Sequence, residues 1–598
     1  MTVPSTNCSP QAEACAPRDA NLNALWCRAI AEELARGGVG LAVLCPGSRN
    51  SPLLFALADQ FRDQALSHVD ERSGAFIALG FARSSQSSQT PALICVTSGS
   101  ALANCAPALA EAQAAHLPLI VVAADRPWEL HGCSAPQTMP QAGAFRRLVD
   151  CELDLGEPVA DDRAIRSLRA RISRLAQRGG PALLNVPLRE PLLAAPGAVW
   201  DAPANLSALA RHGRIQDPYT VEHFSHPRRW PSPLVADEPD QTPRRAVVVA
   251  GAGADPKTLH GLTALGLPVL CDAINGQRDC DHPNLICHGD ALVSGPLGQD
   301  PPDLVVQLGD VPLSRQVYEW LDRCTGPWVI DEPDDRDRDW LARASIRLGP
   351  RSDPFSPELL GLLRVPGDSA WCQLWRDGEV AARTALRAAM ASEPWGEVLA
   401  AHAVCSHPAW RHLMLANSMA VRHGNLHLVP HPGRTVHGNR GVNGIDGQIG
   451  TLIGIALGSP DHDYDQAHRR IDLSGPTWLL TGDLALLHDL PALAALASLR
   501  KPGAIIVLNN DGGGLFDFLP VAQHTGYQHW VRTSHGLTFA GIANQFGLRY
   551  RRCTSRAELD AALTESAAEP TGWSLVECAV SGLDTVQRHR SLLKAMSG

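Results

Sequence analysis

Short, wholly apolar runs that end in glycine-, proline- and serine-rich turns alternate with longer helix-like stretches along most of the chain. Leu41–Cys45 runs into Pro46-Gly47-Ser48, Leu93–Val96 into Thr97-Ser98-Gly99, and Leu119–Ala123 is followed by Asp125-Arg126-Pro127. Between the last two strand-like runs lies the alanine-rich segment Ser100–Ala115, which reads as a helix. A run that is apolar at every residue has no face to offer water, so it belongs to a strand buried on both sides. Such strands, joined by helical crossovers, form parallel sheets covered on both faces. The pattern therefore predicts an α/β protein of doubly wound parallel sheets. Ligands of such sheets bind outside the carboxyl ends of the strands, where these turn motifs stand.

The alternation recurs three times. At roughly 100–200 residues per domain, 598 residues make three to five domains. Residues 1–19 read as a loose extension, 20–197 as a first α/β domain, 198–377 as a linker plus central domain, and 378–598 as a third domain. The proline-rich stretch from about 197 to 243 reads as a linker or irregular crossover. The central domain carries strand-like runs at Ala246–Ala250, Leu304–Leu308 and Trp328–Ile330. A second irregular stretch, from about Pro350 to Asp377, precedes a helix over Gly378–Ala391, and the third domain has strands at Trp478–Leu480 and Ala504–Leu508.

A net charge of −10 speaks against a nucleic-acid partner. No apolar run reaches the ~18–20 residues of a membrane span, and the amino terminus lacks the basic start and apolar core of a secretory signal. A soluble cytoplasmic protein is expected, with no stable membrane insertion. The 16 cysteines include no CxxC pair, and Cys271, Cys280, Cys287 and His288 fit no common zinc module. Lys257, Lys501 and Lys594 are the only lysines, so nearly all positive charge is arginine. That composition suits bidentate recognition of carboxylates.

In the third domain, Trp478–Thr481 is followed by Gly482-Asp483, and Ala504–Leu508 by Asn509-Asn510-Asp511-Gly512-Gly513-Gly514. Asp483 and Asn510 then stand at the carboxyl ends of two strands on one sheet edge. A carboxylate, a side-chain amide and a backbone carbonyl from the turn are hard oxygen ligands suited to Mg²⁺ (or Mn²⁺) that also binds a diphosphate. The glycines allow close backbone approach to phosphate. Either dipeptide alone is a common turn, and the information lies in the pair with its strand context. His68-Val69-Asp70-Glu71-Arg72 opens a helix-like run through Arg83. Alone, Glu71 reads as a first-turn acid favoured by the helix dipole. Val249–Ala254, with Gly251 and Gly253, follows a strand, but Pro256 breaks the full dinucleotide fingerprint.

The GD…NN pair resembles the motif of thiamine-diphosphate enzymes. More specific matches run from about residue 21 to 520. Cys45-Pro46-Gly47-Ser48-Arg49-Asn50-Ser51-Pro52, Asp70-Glu71-Arg72, Thr97–Ala101, Ala124–Pro127 and Gln137 resemble, in order, the signature of the 2-succinyl-5-enolpyruvyl-6-hydroxy-3-cyclohexene-1-carboxylate synthase family. Asn417–Arg422, Asn439–Gly447 and Asn510–Pro520 resemble its later motifs. Leu484, where many thiamine enzymes carry Gly, is a departure that this family shares.

The resemblance implies three domains of the thiamine-diphosphate enzyme type: pyrimidine-binding, middle and diphosphate-binding. It implies decarboxylation of 2-oxoglutarate on thiamine diphosphate and 1,4-addition of the succinyl unit to isochorismate, in menaquinone or phylloquinone biosynthesis. Glu71 would activate the cofactor through the aminopyrimidine N1′, a task that suits a buried carboxyl. Asp483, Asn510 and the Gly512 carbonyl would hold Mg²⁺. Gly482, Leu484 and Gly513 would flank the cofactor, and Ile445 would press it into its bent form. Ser418, Arg422 and Arg440 would hold the succinyl carboxylate. Ser48, Arg49, Arg126 and Gln137 would line the isochorismate side, with Arg315 in place of the usual Lys. Leu515, Phe516 and Leu519 would form an apolar wall. The family also implies a homodimer with active sites at its interface as the minimal species, and is compatible with a tetramer. A second reading is another thiamine-diphosphate decarboxylase or carboligase, of the acetolactate synthase kind. It is disfavoured because pyruvate lacks the second carboxylate that Arg422 and Arg440 would bind.

Overall fold

The apolar runs are strands with both faces buried. In the computed structural model, which describes residues 18–84, 90–194, 205–221, 245–275, 278, 281–332, 336–348, 370–431, 433–459, 462–464, 470–472, 475–582 and 584–598, they form three six-stranded sheets. Most of the extension over 1–19, most of the linker and the stretch over 350–369 lie outside the described residues.

The first sheet comprises β1 (Leu41–Leu44), β2 (Ala65–Ser67), β3 (Ala92–Val96), β4 (Leu119–Asp125), β5 (Cys151–Asp154) and β6 (Ala182–Pro187), all parallel, in the order β2-β1-β3-β4-β6-β5. Alternate side chains face opposite ways. Leu93, Cys95, Ile120 and Val122 join the core with helices Arg18–Arg36, Ser51–Phe61 and Asp162–Ala176. On the opposite face, helix Glu71–Ser84 comes so close that a Cβ at Gly74 would lie 3.1 Å from Cys45 Sγ and 3.3 Å from Val43. The helix expected over Ser100–Ala115 is two helices, Ser100–Asn104 and Ala106–Ala115, separated at Cys105 where Pro107 starts the second.

The second sheet comprises β7 (Ala246–Ala250), β8 (Val269–Cys271), β9 (Leu285–Ile286), β10 (Leu304–Leu308), β11 (Trp328–Asp331) and β12 (Ile346–Leu348). Its order, β12-β11-β10-β7-β8-β9, is that of a dinucleotide-binding fold. The Gly251–Gly253 turn is nevertheless filled from within: a Cβ at Gly251 would lie 2.0 Å from the Asp310 carbonyl. The third sheet comprises β13 (His412–Leu415), β14 (Thr435–His437), β17 (Thr477–Gly482), β18 (Gly503–Asn509), β19 (Arg549–Cys553) and β20 (Trp573–Ala579), again parallel, while β15 (His462–Tyr464) and β16 (Arg470–Asp472) form a separate antiparallel hairpin. Numbered within itself, the third sheet repeats the strand order of the first.

By contact density the chain divides into a first unit, residues 1–224 with Ile453–Gly458, and a second unit, 225–452 with 459–598. The second and third sheets share that second unit. Part of their common core is the helix Ala370–Ser392, which corrects the expected irregular stretch and helix start: residues 370–377 are helical. Trp371 and Trp375 continue the buried stripe Glu379, Ala382, Leu386 and Met390 one turn at a time, and Trp375 packs 5.3 Å from the Trp320 ring. The expected domain boundary at 377/378 falls inside this helix.

Glu379 is the one acid in that stripe. It is 3% exposed. Its Oε2 accepts the Cys287 and His288 N–H groups, both at 3.1 Å, and its Oε1 meets His288 Nδ1 at 2.9 Å and Arg383 Nε at 2.8 Å. Burial pushes this carboxyl up, but His288 and Arg383 outweigh it and hold the pKa at about 2. Glu379→Gln is expected to cost about 3 kcal/mol at neutral pH, because it leaves the Arg383 guanidinium without the buried carboxylate that compensates it. The depressed pKa means that the wild-type contribution is present above the unfolded value of about 4.3 and fades as pH falls toward 2. Thermal melting of both proteins should show the deficit of the variant shrinking from pH 5 downward.

Candidate active site

In the second unit, the chain crosses from one side of the third sheet to the other between β13 and β17, and ligands of open α/β sheets bind in such a crevice. A cavity of about 260 Å³ opens there. Its wall takes Asn417 and Ser418 from the end of β13, Arg422 from helix Met419–His427, and Arg440, Asn443 and Ile445 from the loop after β14. Gly482, Asp483 and Leu484 follow β17, and Asn510 with Gly512 to Phe516 follows β18. Every residue expected for the metal and the succinyl carboxylate thus lines one cavity.

The loop after β18 depends on glycine. Gly512 has φ +120°, and a Cβ there would lie 2.3 Å from the Arg532 carbonyl. That carbonyl accepts the Gly513 N–H at 2.7 Å, while Arg532 Nη2 donates to the Asn510 carbonyl at 2.8 Å. Asp483, 2% exposed, accepts from Leu484 N–H at 2.7 Å and Gly512 N–H at 2.9 Å. His535 Nδ1 accepts the Leu537 N–H at 2.9 Å, and its Nε2 faces Asp483 Oδ2 at 3.2 Å. Burial raises the Asp483 pKa, and these donors oppose the rise without cancelling it.

The Asn510 amide is held from one side only. Its Nδ2 donates to Glu397 Oε2 at 2.8 Å, and its buried Oδ1 has no hydrogen-bond partner. Glu397, 2% exposed, takes His423 Nε2 on its other oxygen at 3.1 Å. Burial pushes Glu397 up, but His423 and Asn510 more than offset it, so the carboxyl stays below its ordinary range. An orphaned amide oxygen, a buried carboxylate and the Gly512 carbonyl beside glycine backbone fit a divalent cation that shares a diphosphate. Among the described residues no three His, Cys, Asp or Glu side chains could hold a metal by themselves; Cys280 of the Cys271–His288 segment lies outside the described residues. A cation here would depend on amide, carbonyl and diphosphate oxygens.

One end of the cavity is cationic. Arg422 Nη1 donates to the Ser418 carbonyl at 2.6 Å, and Arg440 Nη1 to Asn417 Oδ1 at 2.9 Å. Ser418 itself sits at φ +73°, a strained backbone for a side-chain-bearing residue. Ile445, Leu484, Leu515 and Phe516 supply apolar wall. Leu519 and Arg315 are not brought to this cavity. Leu519 is 46% exposed one turn beyond Phe516. Arg315 opens helix Arg315–Leu321, its side chain 81% exposed and paired with Glu319 one turn on.

In the first unit, the loops after β1 and β3 meet: a Cβ at Gly47 would lie 2.4 Å from Thr97 Cβ. Arg49 is buried and donates to the Leu188 carbonyl at 2.9 Å and to Glu190 at 2.6 Å. Burial, and then the neighbouring Arg126 guanidinium, lower its pKa. In the single chain Arg49 is already paired with a carboxylate, that of Glu190. Ser48 is exposed beside Arg49, and Gln137, at φ +57°, spends its amide on the Ser98 carbonyl at 3.1 Å. Glu71 is the first residue of its helix, and Asn104 Nδ2 lies 3.4 Å from it. It is half-buried in the single chain rather than buried as expected.

Models of one enzyme class match parts of both units. Residues 27–145 match the thiamine pyrophosphate enzyme N-terminal TPP binding domain, and 420–578 match the C-terminal TPP binding domain. A 2-succinyl-5-enolpyruvyl-6-hydroxy-3-cyclohexene-1-carboxylate synthase of Myxococcus xanthus (strain DK1622) is 36% identical over 97% of this chain and 98% of its own length. The chain belongs to this synthase family. Synthases of the same name from Rubrobacter xylanophilus and Roseiflexus sp. (strain RS-1) are 35% and 32% identical, each over 96% of this chain. The synthase-family motifs account for most of the cavity. Glu397, Arg532 and His535 escaped sequence reading. Each stands outside those motifs: Glu397 lines the cavity, while Arg532 and His535 contact its lining residues Asn510 and Asp483.

Proposed function

We propose that this chain is a thiamine-diphosphate-dependent 2-succinyl-5-enolpyruvyl-6-hydroxy-3-cyclohexene-1-carboxylate synthase that takes 2-oxoglutarate and isochorismate as substrates, in menaquinone or phylloquinone biosynthesis. One observation carries it: in a chain of this family, a ready oxygen ligand set and a pair of arginines share one cavity. The product name itself divides into a succinyl unit and an enolpyruvyl hydroxycyclohexene carboxylate. The first is 2-oxoglutarate less its carboxyl group, and the second is the isochorismate ring.

Thiamine diphosphate, when bound, supplies the electron sink for loss of carbon dioxide from a 2-oxoacid. Asp483, Asn510 and the Gly512 carbonyl would hold its Mg²⁺ (or Mn²⁺), with the Gly482 and Gly513 backbone against the diphosphate. Ile445, Leu484, Leu515 and Phe516 would set apolar surface against the bound cofactor and lower the local dielectric there. Arg422, Arg440 and Ser418 would fix the distal carboxylate of 2-oxoglutarate and so orient its keto carbon. Ser48, Arg49, Arg126 and Gln137 would receive isochorismate. Arg315 and Leu519, exposed in the single chain, would join when substrate or a second subunit covers them. Glu71 would hold and return a proton at the aminopyrimidine N1′.

In this reading 20–197 is the pyrimidine-binding domain, 198–377 the linker and central domain, and 378–598 the diphosphate-binding domain. A homodimer would bring Glu71 of one subunit to the metal half of the other, and two such dimers could form a tetramer. No described helix is long and apolar enough to cross a membrane, which is consistent with action in the cytoplasm.

The test compares donors. Carbon dioxide release should require 2-oxoglutarate and fail with pyruvate. Arg422→Ala should raise the KM for 2-oxoglutarate by roughly 10–100-fold, the loss of about 1.5–3 kcal/mol in one charged hydrogen bond. Release from pyruvate, indifferent to Arg422→Ala, would favour an acetolactate synthase-like carboligase instead.

A further inference from the structure

We propose that Glu397 is the positioning residue that fixes which end of the Asn510 amide meets the metal. The inference rests on the cofactor reading above. An asparagine amide presents an oxygen or an NH₂ group of almost the same shape after a half-turn of its terminal torsion. Only the oxygen can ligate a cation. A metal site built on Asn therefore needs something that forbids the half-turn.

Glu397 has the chemistry to do so. An ionised carboxylate only accepts hydrogen bonds. It takes the Asn510 Nδ2 proton at 2.8 Å and would repel Oδ1 in the flipped state. The orientation it selects leaves Oδ1 buried, without a protein partner, at the wall of the cavity. The carboxylate is itself pinned. It starts helix Glu397–Ser406, where the helix dipole favours an anion, and its second oxygen is taken by His423 Nε2 at 3.1 Å. Both Glu397 and His423 are buried, at 2% and 0% exposure. Gly514 leaves the room this needs, since a Cβ there would lie 2.5 Å from Asn510 Nδ2. His423 follows Arg422 on one helix, so the segment that offers a carboxylate clamp to the cavity also braces the metal ligand from behind.

A reciprocal exchange tests it. Glu397→Gln alone lets the new amide donate to Asn510 Oδ1 and turn it away from the cation. Asn510→Asp alone sets two carboxylates together. The double variant restores a donor facing an acceptor, and the net charge, with the two side chains exchanged. Mn²⁺ binding to the full-length chain with thiamine diphosphate present is followed by electron paramagnetic resonance, without turnover. Glu397→Gln is expected to weaken Mn²⁺ by ~10–100-fold, the range for loss of a group that orients a ligand, and the double variant to return close to wild type. Wild-type affinity in Glu397→Gln, or a double variant as weak as Glu397→Gln, overturns the proposal. Absence of Mn²⁺ binding in the wild type would instead bring down the cofactor reading on which it rests.

Discussion

Glu71→Gln is expected to cut isochorismate consumption by roughly 10²–10⁴-fold, the usual contribution of a positioned acid–base group, while the chain stays folded and still binds thiamine diphosphate. Glutamine has the shape of glutamate and can accept a hydrogen bond, but it cannot take up and release the proton at the aminopyrimidine. The fold should tolerate the change. Glu71 is half-buried at the first turn of helix Glu71–Ser84, and that turn is capped independently by Asp70, whose Oδ1 accepts the Ser73 N–H at 2.7 Å. Removing a first-turn charge costs only about 0.3–1 kcal/mol of helix-dipole stabilisation. Unchanged melting and cofactor binding with lost turnover would identify a chemical role. Equal activity in the variant would remove Glu71 from the mechanism.

Asp483→Asn is the second large effect expected. The substitution keeps an oxygen for the Leu484 or Gly512 N–H but removes the charge at the centre of the ligand set. Losing an outer partner of a metal ligand typically costs ~10–100-fold in affinity, so losing the one carboxylate ligand should cost at least that. Isothermal titration with thiamine diphosphate at fixed Mg²⁺ should show weakening that excess Mg²⁺ partly overcomes. Weakening that Mg²⁺ does not relieve would mean that Asp483 acts on the loop after β18 and not on a cation.

The three sheets were legible because their central strands are apolar at nearly every residue: β3, β4, β7, β10, β17 and β18 each stand out. The edges were not. β2 is three half-exposed or exposed residues, and β19 is Arg-Tyr-Arg-Arg-Cys, charged because it has a neighbour on only one side. The start of helix Ala370–Ser392 was missed for a different reason. Its first turns follow a proline- and glycine-bearing stretch, and only the spacing of Trp371 and Trp375 marks them. The repeated strand order of the first and third sheets left no repeat in the sequence, since order is set by crossover paths that composition does not record.

In the site, the half built from consecutive strand ends was readable, because Gly482-Asp483 and Asn509-Asn510 carry the proposed ligands within the motif. Residues that orient those ligands come from far away in the chain. Glu397 meets Asn510 across 113 positions, and Arg532 meets the Asn510 carbonyl across 22. Neither has a local pattern to betray it. Arg315 shows the converse: a recognisable segment whose side chain, in the single chain, faces solvent beside Glu319.

The most direct test of the central claim is isochorismate consumption by the purified protein with 2-oxoglutarate, thiamine diphosphate and Mg²⁺ each added and each withheld. Turnover is expected only with all three, with carbon dioxide released in equal amount to isochorismate consumed. A protein that binds the cofactor and metal yet leaves isochorismate untouched would contradict it.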